Sequence, residues 1–530
     1  MATNDKYDRQ LRLWGAKGQR ALGDTCVVLI GGTAAGTETL KNLVLPGIGS
    51  FCVIDDVLVS KEDVASNFFV TSTCQEEPTI GKKARAQVAC ENLQELNPDV
   101  LGAFQNVPKL QDIKDWKEIL YKETNSRQKL LVIASDLDPL VLETLSAQCS
   151  SLQLPLVMVQ SYGLMGCVKL QLSGKVPLLD PKPANAPPDL RLKKSFPALD
   201  EFVQSIGDLS KLESHEHGHV PYPIVLRKAI EAWRASHGGQ DPKTFPEKNE
   251  FKDSIKNMSR DIHKEVNFEE AIQHAYLAYT EREVFLPEDL VGGDDSSMLA
   301  KLFQALDTFR EKHDGRLPLN GAIPDMTAST NHYVKLQSIY KTQAEQDLQE
   351  MKDLCQDLPE DAIQSFCANV FSVTQMSTRS LVEELTSQPD EETMDDLKMS
   401  LMDPYEVEAH TPLLWYLGLR ACHAFFKKQG RYPGMKDDES WEADAPLLEE
   451  EYKAVALHYG LADEGLVKSN QGDICHELTR YANAELHNVA SVVGGVASQE
   501  AVKIITGQYI PLNNTYLFNG IVGVGGLYKF

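Results

Sequence analysis

The residues with the clearest chemical potential lie in a glycine-containing loop, within the stretch VVLIGGTAAGTETLKN at residues 27–42. A dinucleotide-binding loop needs one glycine for the turn, a second for backbone approach to phosphate and a third for helix packing. Here those positions hold Gly31, Thr33 and Gly36, so a β-branched side chain stands where phosphate should approach. Asp55, at the end of the next apolar run, is placed like a ribose-binding acid. The loop therefore predicts a nucleotide-binding fold whose site is closed by Thr33.

Three alternating histidines and the cysteines are the other residues with reactive or metal-binding side chains. His215, His217 and His219 would meet at a metal only if their glycine-containing loop curled, and so weak a pattern leads us to predict no metal site. The cysteines include no CxxC pair, which indicates neither a zinc ribbon nor a disulfide framework. Cys422 and Cys475 are therefore interpreted as buried structural thiols.

The order of apolar runs indicates the elements that must position the loop. From Val27 a buried strand leads through the loop into a helix that stops at Pro46, and SFCVIDD supplies a second strand. This order of strand, helix and strand is typical of a doubly wound, mostly parallel sheet. We therefore predict a Rossmann-like α/β fold, whose rhythm continues to about residue 166.

A long stretch of different character interrupts that rhythm. It begins with the proline-rich PLLDPKPANAPPDLRL and continues with charged sequence of helical periodicity. The α/β pattern returns at the end, where HNVASVVGGVASQEAVKII predicts a helix of small residues that can lie close to another element. We predict that residues 1–166 and 476–530 form one α/β domain and that residues 167–475 form a mainly helical insertion.

Composition narrows the classes of partner and location. The 77 acidic residues outnumber the 52 basic ones, and the net charge of −25 repels nucleic acid and favours a basic or mixed-charge protein as partner. The first ten residues lack the apolar segment of a signal peptide, and the apolar runs are too short to span a membrane. We expect a cytoplasmic and nuclear protein without membrane insertion.

Several long blocks of the sequence carry a family resemblance. They are KYDRQLRLWG (6–15), LKNLVLPGIGSFCVIDD (40–56), GAIPDMTASTNHYVKLQSIY (321–340), GRYPG (430–434) and VGGVASQEAVKIITGQYIPLNNTYLF (493–518). With them the chain resembles the ubiquitin-activating enzyme superfamily over nearly its whole length, in particular the regulatory subunits of heterodimeric enzymes that activate Nedd-type modifiers. The resemblance implies a degenerate adenylation fold of the ThiF/MoeB type, interrupted by a domain that carries the catalytic cysteine in active subunits.

The sequence departs from active members of that superfamily at their ATP and magnesium residues. Val57 replaces the second acid of their DxD pair, and residues 65–67 read Ala-Ser-Asn instead of NRQ. Arg85 can match their later basic residue and Asp136 their magnesium-linked acid, but a working site needs several converging donors and the metal. No cysteine has the PxCT-like setting of their nucleophile. The resemblance thus implies that this chain binds no cofactor and is inactive alone, with ATP and magnesium on its catalytic partner.

The resemblance also implies which residues keep a role. Arg9 matches the arginine that reaches across the dimer interface into the ATP site of the partner, where its guanidinium steadies polyphosphate. The residues that match regions in contact with the catalytic subunit are His219, Asp325, Met326, Tyr333, Lys335 and Ser338. We expect a regulatory subunit that supports adenylation of a Nedd-type modifier and thioester formation on the catalytic subunit, with transient contact to a conjugating enzyme.

Other interpretations of the same residues stay open at this stage. By spacing alone, Arg9 is a solvated residue of an amphipathic helix whose Leu11, Leu13 and Trp14 pack inward. The apolar residues within 326–340 are equally compatible with a helix stripe that faces the core. An NAD-dependent oxidoreductase would use the same first strand and the same acid, and a pure adaptor would share the fold without contributing to catalysis.

Overall fold

The computed structural model describes residues 6–74, 77–122, 129–174, 176–179, 188–280, 298–402, 410–435 and 441–530. The chain forms two compact units. Residues 1–178 and 375–530 make the sheet unit, and residues 179–374 make the helical unit. The α/β fold with a large helical insertion that the sequence predicts is confirmed.

The helices and strands follow one another in three groups. The first group is α1 (Asp8–Gly23), β1 (Thr25–Ile30), α2 (Ala34–Val44), β2 (Ser50–Asp55), α3 (Lys61–Ser66), β3 (Thr73–Cys74), β4 (Glu77–Pro78), α4 (Arg85–Gln94), β5 (Leu101–Asn106), α5 (Trp116–Tyr121), β6 (Lys129–Ser135), α6 (Pro139–Ser151), β7 (Leu156–Tyr162), β8 (Met165–Gln171) and β9 (Val176–Leu179). The second is α7 (Pro197–Ser205), α8 (Ser214–His217), α9 (Tyr222–Ser236), α10 (Phe245–Met258), α11 (Val266–Gln273), α12 (Met298–Lys312), α13 (Thr330–Leu354), α14 (Glu360–Asn369) and β10 (Val373–Met376). The third is α15 (Leu381–Thr386), α16 (Glu391–Ser400), α17 (Pro412–Gln429), α18 (Ala445–His458), α19 (Gly465–Tyr481), α20 (His487–Thr506), β11 (Thr515–Asn519) and β12 (Val524–Tyr528).

Eight strands form the main sheet, in the order β12-β11-β8-β7-β6-β1-β2-β5. Neighbours from β7 to β5 are parallel, whereas β8, β11 and β12 run antiparallel to their neighbours. Every residue of β1 is buried, as expected for a parallel strand with both faces covered. Because β1, β2 and β6 are parallel, their carboxyl ends meet at one edge of the sheet. That edge holds Gly31, Asp55 and Asp136.

Two helices of the sheet unit approach each other closely beside this edge. In α20, a Cβ added at Gly494 would stand 2.8 Å from the Cβ of Glu38 and 3.0 Å from the nitrogen of Thr39, both in α2. The small residues of α20 therefore allow the close packing that the sequence predicts. Within the described residues, no helix combines the length and the apolarity needed to cross a membrane.

The unit boundaries differ from those expected from the sequence. Residues 167–178 and 375–475, assigned by sequence to the helical insertion, belong to the sheet unit. One hydrophobic core joins Leu417 of α17 to Tyr162 of β7 and Leu517 of β11. Helical periodicity shows that a helix has an apolar face, but it does not show which surface covers that face.

Candidate functional site

The loop after β1 needs glycine at both positions that the sequence singles out. Gly31 has φ +88°, a conformation that favours glycine, and a Cβ there would stand 2.3 Å from the carbonyl oxygen of Ser135. A Cβ on Gly36, in the first turn of α2, would stand 2.8 Å from Leu29 Cδ1 and 2.9 Å from the Gly31 oxygen. These contacts correspond to the turn and packing roles of a dinucleotide-binding loop.

Thr33 caps the helix that follows the loop. It is the N-cap residue of α2, and its Oγ1 accepts a hydrogen bond of 3.4 Å from the Gly36 N–H. The same oxygen shares a hydrogen bond of 2.7 Å with Ser135 Oγ. The hydroxyl of Thr33 is thus engaged with its own helix and with the end of β6, and another side chain takes the first N–H groups of α2.

That side chain is Glu485, which lies just before α20. Its Oε2 accepts a hydrogen bond of 2.8 Å from the Ala34 N–H, and its Oε1 accepts one of 2.7 Å from the Ala35 N–H. A helix leaves these N–H groups unpaired, and in nucleotide-binding folds they bind phosphate. A carboxylate of the chain itself therefore makes the contacts that a phosphate would make.

Asp136 lies beside Glu485 and shares its buried environment. Its Oδ1 accepts a hydrogen bond of 3.1 Å from the Ser161 N–H, and its Oδ2 accepts one of 3.4 Å from the Thr33 hydroxyl. Burial and the charge of Glu485 raise the pKa of Asp136 well above its usual value. Burial also raises the pKa of Glu485, against the effect of its two backbone hydrogen bonds. Two adjacent carboxyl groups in such surroundings tend to retain a proton between them.

Asp55 and Arg85 are both engaged within the protein. Asp55 is 1% exposed, and its Oδ2 accepts hydrogen bonds of 2.7 Å from the Gly32 N–H and from Arg85 Nε. Arg85 Nη1 also contacts Asp63 Oδ1 at 2.9 Å. Burial lowers the pKa of Arg85, but the ion pairs with Asp55 and Asp63 outweigh burial and raise it above its usual value. The acid is therefore not open to a ribose, nor the arginine to a phosphate.

Asn67 stands at the place of the NRQ triplet, and its side chain connects the loop after β1 to α2 by hydrogen bonds. Its Nδ2 donates a hydrogen bond of 3.0 Å to the Gly32 carbonyl, and its Oδ1 accepts one of 2.9 Å from the Thr37 hydroxyl. The carbonyl of Ser66 accepts a hydrogen bond of 3.0 Å from His487 Nδ1. Polar groups here connect α2, α3 and α20.

Sequence reasoning missed three members of this site: Ser135, Asp63 and Glu485. Asp63 has a local signal, because Ser60 and Asp63 form a capping box that places the acid in the first turn of α3. Ser135 and Glu485 have no such local signal in the sequence. Glu485 is 451 residues from Ala34, and no periodicity relates residues at that separation.

The three neighbouring histidines do not converge on one point. His217 is buried with its Nδ1 2.6 Å from Glu265 Oε1, whereas the rings of His215 and His219 stack at 4.3 Å. Among the residues that the structure describes, no group of three or more His, Cys, Asp or Glu side chains is arranged to hold a metal ion.

The cysteines whose side chains are described are buried and form no disulfide bond. Burial raises the pKa of Cys422 to about 12, and burial also raises the pKa of Cys475. Thiols with such pKa values are protonated at neutral pH and are poor nucleophiles.

Arg9 is an exposed residue in the first turns of α1. This end of the chain is anchored by Lys6, whose Nζ donates a hydrogen bond of 2.6 Å to Asn97 Oδ1. Trp14 packs against the core, but Leu13 is 62% exposed, so the inward packing that spacing suggests does not hold for Leu13. Arg9 thus projects from an anchored helix into solvent.

The other predicted contact residues lie in the helical unit. The Ser329 N–H donates a hydrogen bond of 3.0 Å to the His219 carbonyl, which brings His219 to the start of α13. Exposed or half-buried members of the set are Asp325, Met326, Tyr333, Lys335 and Ser338. Leu336 and Tyr340 of α13 are buried in the core of the unit. The stretch therefore combines an inward apolar stripe with an accessible polar face.

Comparison with known proteins places these features in context. The ThiF family pattern matches residues 7–524. The chain is 36% identical over 550 residues to the NEDD8-activating enzyme E1 regulatory subunit of Xenopus laevis, covering 99% of this chain and 98% of that protein. It is 35% identical over 541 residues to the Danio rerio protein of that name, covering 97% of this chain and 96% of the relative. It is 34% identical over 540 residues to the NEDD8-activating enzyme E1 regulatory subunit AXR1 of Arabidopsis thaliana, covering 97% of this chain and 94% of that protein.

Proposed function

The chain belongs to the ThiF family and to the NEDD8-activating enzyme E1 regulatory subunits, and we propose that it is the regulatory half of a heterodimeric enzyme that starts protein neddylation. Its partner is the catalytic subunit of that enzyme. The partner binds ATP and magnesium, adenylates the carboxyl terminus of the modifier, and then takes the modifier onto a cysteine as a thioester. A conjugating enzyme contacts the pair transiently to accept the modifier.

We further propose that this chain binds no ATP and is inactive alone. The observation that carries this proposal is the pair of hydrogen bonds from Ala34 and Ala35 to Glu485, at the terminus where a phosphate would bind. A triphosphate would have to displace that carboxylate, whose negative charge repels phosphate. Arg85 would not stabilise the charge of the triphosphate, because its guanidinium is paired with Asp55 and Asp63.

Arg9 is the residue through which this chain would contribute to catalysis. During adenylation, a carboxylate oxygen of the modifier attacks the α-phosphorus of ATP and pyrophosphate leaves, so negative charge builds up on the phosphate oxygens. A guanidinium carries a permanent charge and a fixed fork of donors, and it can stabilise that charge from across a subunit interface. The exposure of Arg9 on an anchored helix supports this role.

The polar face of the helical unit supplies a second proposed contact with the catalytic subunit. His219 and the accessible residues between Asp325 and Ser338 lie on neighbouring backbone, joined by the hydrogen bond from Ser329. Since Leu336 and Tyr340 hold α13 in the core, the outward residues are presented on a rigid helix.

The two other classes of function make different predictions. An NAD-dependent oxidoreductase requires an open acid for the ribose, and Asp55 is occupied by Gly32 and Arg85. No observation favours that class. A pure adaptor differs from our proposal only in the role of Arg9. An adaptor would lose no adenylation activity when the guanidinium is removed.

The deciding experiment measures ATP binding and ATP–pyrophosphate exchange with the purified chain alone, with the catalytic subunit alone, and with both together. We expect no binding and no exchange by this chain, and modifier-dependent exchange by the heterodimer. Exchange or specific ATP binding by this chain alone would overturn the proposal.

A further inference from the structure

A second buried polar cluster in the sheet unit is formed by side chains of β8, α15 and α17. Glu384 of α15 is fully buried and forms an ion pair with Lys169 of β8. Its Oε1 accepts hydrogen bonds from the hydroxyls of Tyr416 and Tyr459, the latter at 2.6 Å. Burial raises the pKa of Glu384, but Lys169 and Arg420 outweigh burial and bring it to about 2. The carboxylate is therefore charged, and it is matched by the ammonium group of Lys169.

Arg420 of α17 is the second cation of this cluster. It is 7% exposed, and within the described part of the chain it forms no ion pair and its Nε has no hydrogen-bond partner. Its Nη1 lies 3.0 Å from His423 Nδ1. Burial and Arg420 lower the pKa of His423 to about 3, so the imidazole is neutral and accepts this hydrogen bond. A buried guanidinium with open donors is unfavourable unless an anion supplies the missing acceptors.

Arg420 borders a cavity of about 250 Å³ that is also lined by residues of α6 and α18. The other charged groups around it are already paired. Lys427 Nζ contacts Glu143 at 3.0 Å, and Glu451 accepts a hydrogen bond of 2.6 Å from Lys428 Nζ, outside the lining. His458 donates its Nε2 hydrogen to the carbonyl of Glu384 at 2.8 Å. Within the described cluster, Lys169 and Arg420 share the carboxylate of Glu384, and Arg420 is the one of the two cations that borders this cavity.

We propose that this cavity is a binding site for a small oxyanion, a carboxylate or a phosphate, held by the guanidinium of Arg420. A guanidinium is permanently charged, and it gives charge-assisted hydrogen bonds to the oxygens of either group. The cavity is smaller than the roughly 300–1,000 Å³ of sites for drug-sized ligands, so it suits a single small anion and not a nucleotide. The site is independent of the proposed role in neddylation, since it uses neither the glycine loop nor Arg9.

Isothermal titration of the full chain tests this site, with inorganic phosphate in one series and acetate or succinate in another, at matched ionic strength. We expect saturable binding in at least one series, and the stronger series identifies phosphate or carboxylate as the ligand. Arg420→Gln should weaken that binding about tenfold or more, because charge-assisted hydrogen bonds are lost. Arg480→Gln, which removes an exposed guanidinium paired with Glu477, should leave it unchanged. Equal binding by Arg420→Gln and the parent, or no binding by the parent, would overturn the proposal.

Two measurements cover the case in which Arg420→Gln does not fold. Ala424→Leu narrows the cavity, which Ala424 lines, and keeps the arginine, so it should weaken binding as well. Crystals of the unaltered chain grown with selenate, an oxyanion with a strong anomalous signal, should show an anomalous peak within hydrogen-bond distance of Arg420. Anomalous peaks confined to other places would contradict the assignment.

Discussion

Glu485 Oε1 accepts a hydrogen bond of 2.7 Å from the backbone N–H of Ala35, across 450 residues of sequence. Together with the bond to Ala34, this contact gives the amino terminus of α2 an internal anion. The same contact ties the segment before α20 to the loop after β1. The terminus of α2 can therefore be balanced without a bound phosphate, because a protein carboxylate supplies the negative charge there.

Glu485→Ala should make the first N–H groups of α2 exchange faster with solvent. A hydrogen bond to a charged group contributes roughly 1.5–3 kcal/mol, so exchange in the peptide covering residues 31–40 should rise about tenfold or more. Hydrogen-exchange mass spectrometry measures this. Glu477→Ala, which breaks the surface pair with Arg480, is the matched control and should leave that peptide unchanged. Unchanged protection in Glu485→Ala would mean that Ala34 and Ala35 have another acceptor.

Asp136→Asn should change how the free energy of unfolding depends on pH. The pKa values of Asp136 and Glu485 are raised in the folded chain, so the folded state binds more protons than the unfolded state between the unfolded value of about 4 and the raised values. This contribution to stability is present at the acidic end of that interval and is lost as pH rises through the folded pKa values. An amide removes one of the two like charges, so the variant should be more stable than the parent at about pH 8.

Urea unfolding across this pH range measures the effect of Asp136→Asn. The control is Asp138→Asn, which changes a carboxylate bound to Gln111 near the surface and should keep the pH dependence of the parent. If the free energy of unfolding of Asp136→Asn fell with rising pH as steeply as that of the parent, the pair of Asp136 and Glu485 would not be the source of the pH dependence.

Arg9→Ala should lower modifier-dependent ATP–pyrophosphate exchange by the heterodimer about 100-fold or more, because a positioned donor to developing negative charge is lost. Arg9 is exposed, so the fold and the assembly of the heterodimer should be unaffected. Gel filtration checks assembly. Arg12→Ala, which breaks a surface pair with Asp8, is the control on the same helix. Full activity of Arg9→Ala would favour the pure adaptor.

Gly494→Ala should destabilise the sheet unit by about 1–3 kcal/mol through overpacking. The new methyl group would meet the Cβ of Glu38 at 2.8 Å and the nitrogen of Thr39 at 3.0 Å. Gly495→Ala is the matched control, because apart from its chain neighbours and the backbone of its own helix nothing lies within 4 Å of the added Cβ, and alanine is the better helix former by about 1 kcal/mol. The midpoint of urea unfolding should therefore shift to lower urea for Gly494→Ala and to higher urea for Gly495→Ala. A shift in the same direction would argue against close packing of α20 on α2.

The α/β class and the need for glycine at positions 31 and 36 could be predicted because both follow from local patterns. Strand length, helical spacing and turn residues act over a few neighbours, and these are visible in one sequence. The place of residues 375–475 could not be predicted, because α17 is helical whichever surface covers it. Thr33 shows the same limit, since its type indicates an altered loop but not which atoms its hydroxyl contacts.

The sequence by itself determined the order of strands and helices, the altered nucleotide loop and, through long matching blocks, the family. Only the tertiary structure decided what fills the loop. Glu485 reaches α2 because the small residues of α20 let the two helices pack closely, and among the described residues Glu384 forms its ion pair with Lys169 and not with Arg420. Such pairings depend on which elements meet in space. Burial then strengthens the interactions of each charge, because water is removed as the competing partner.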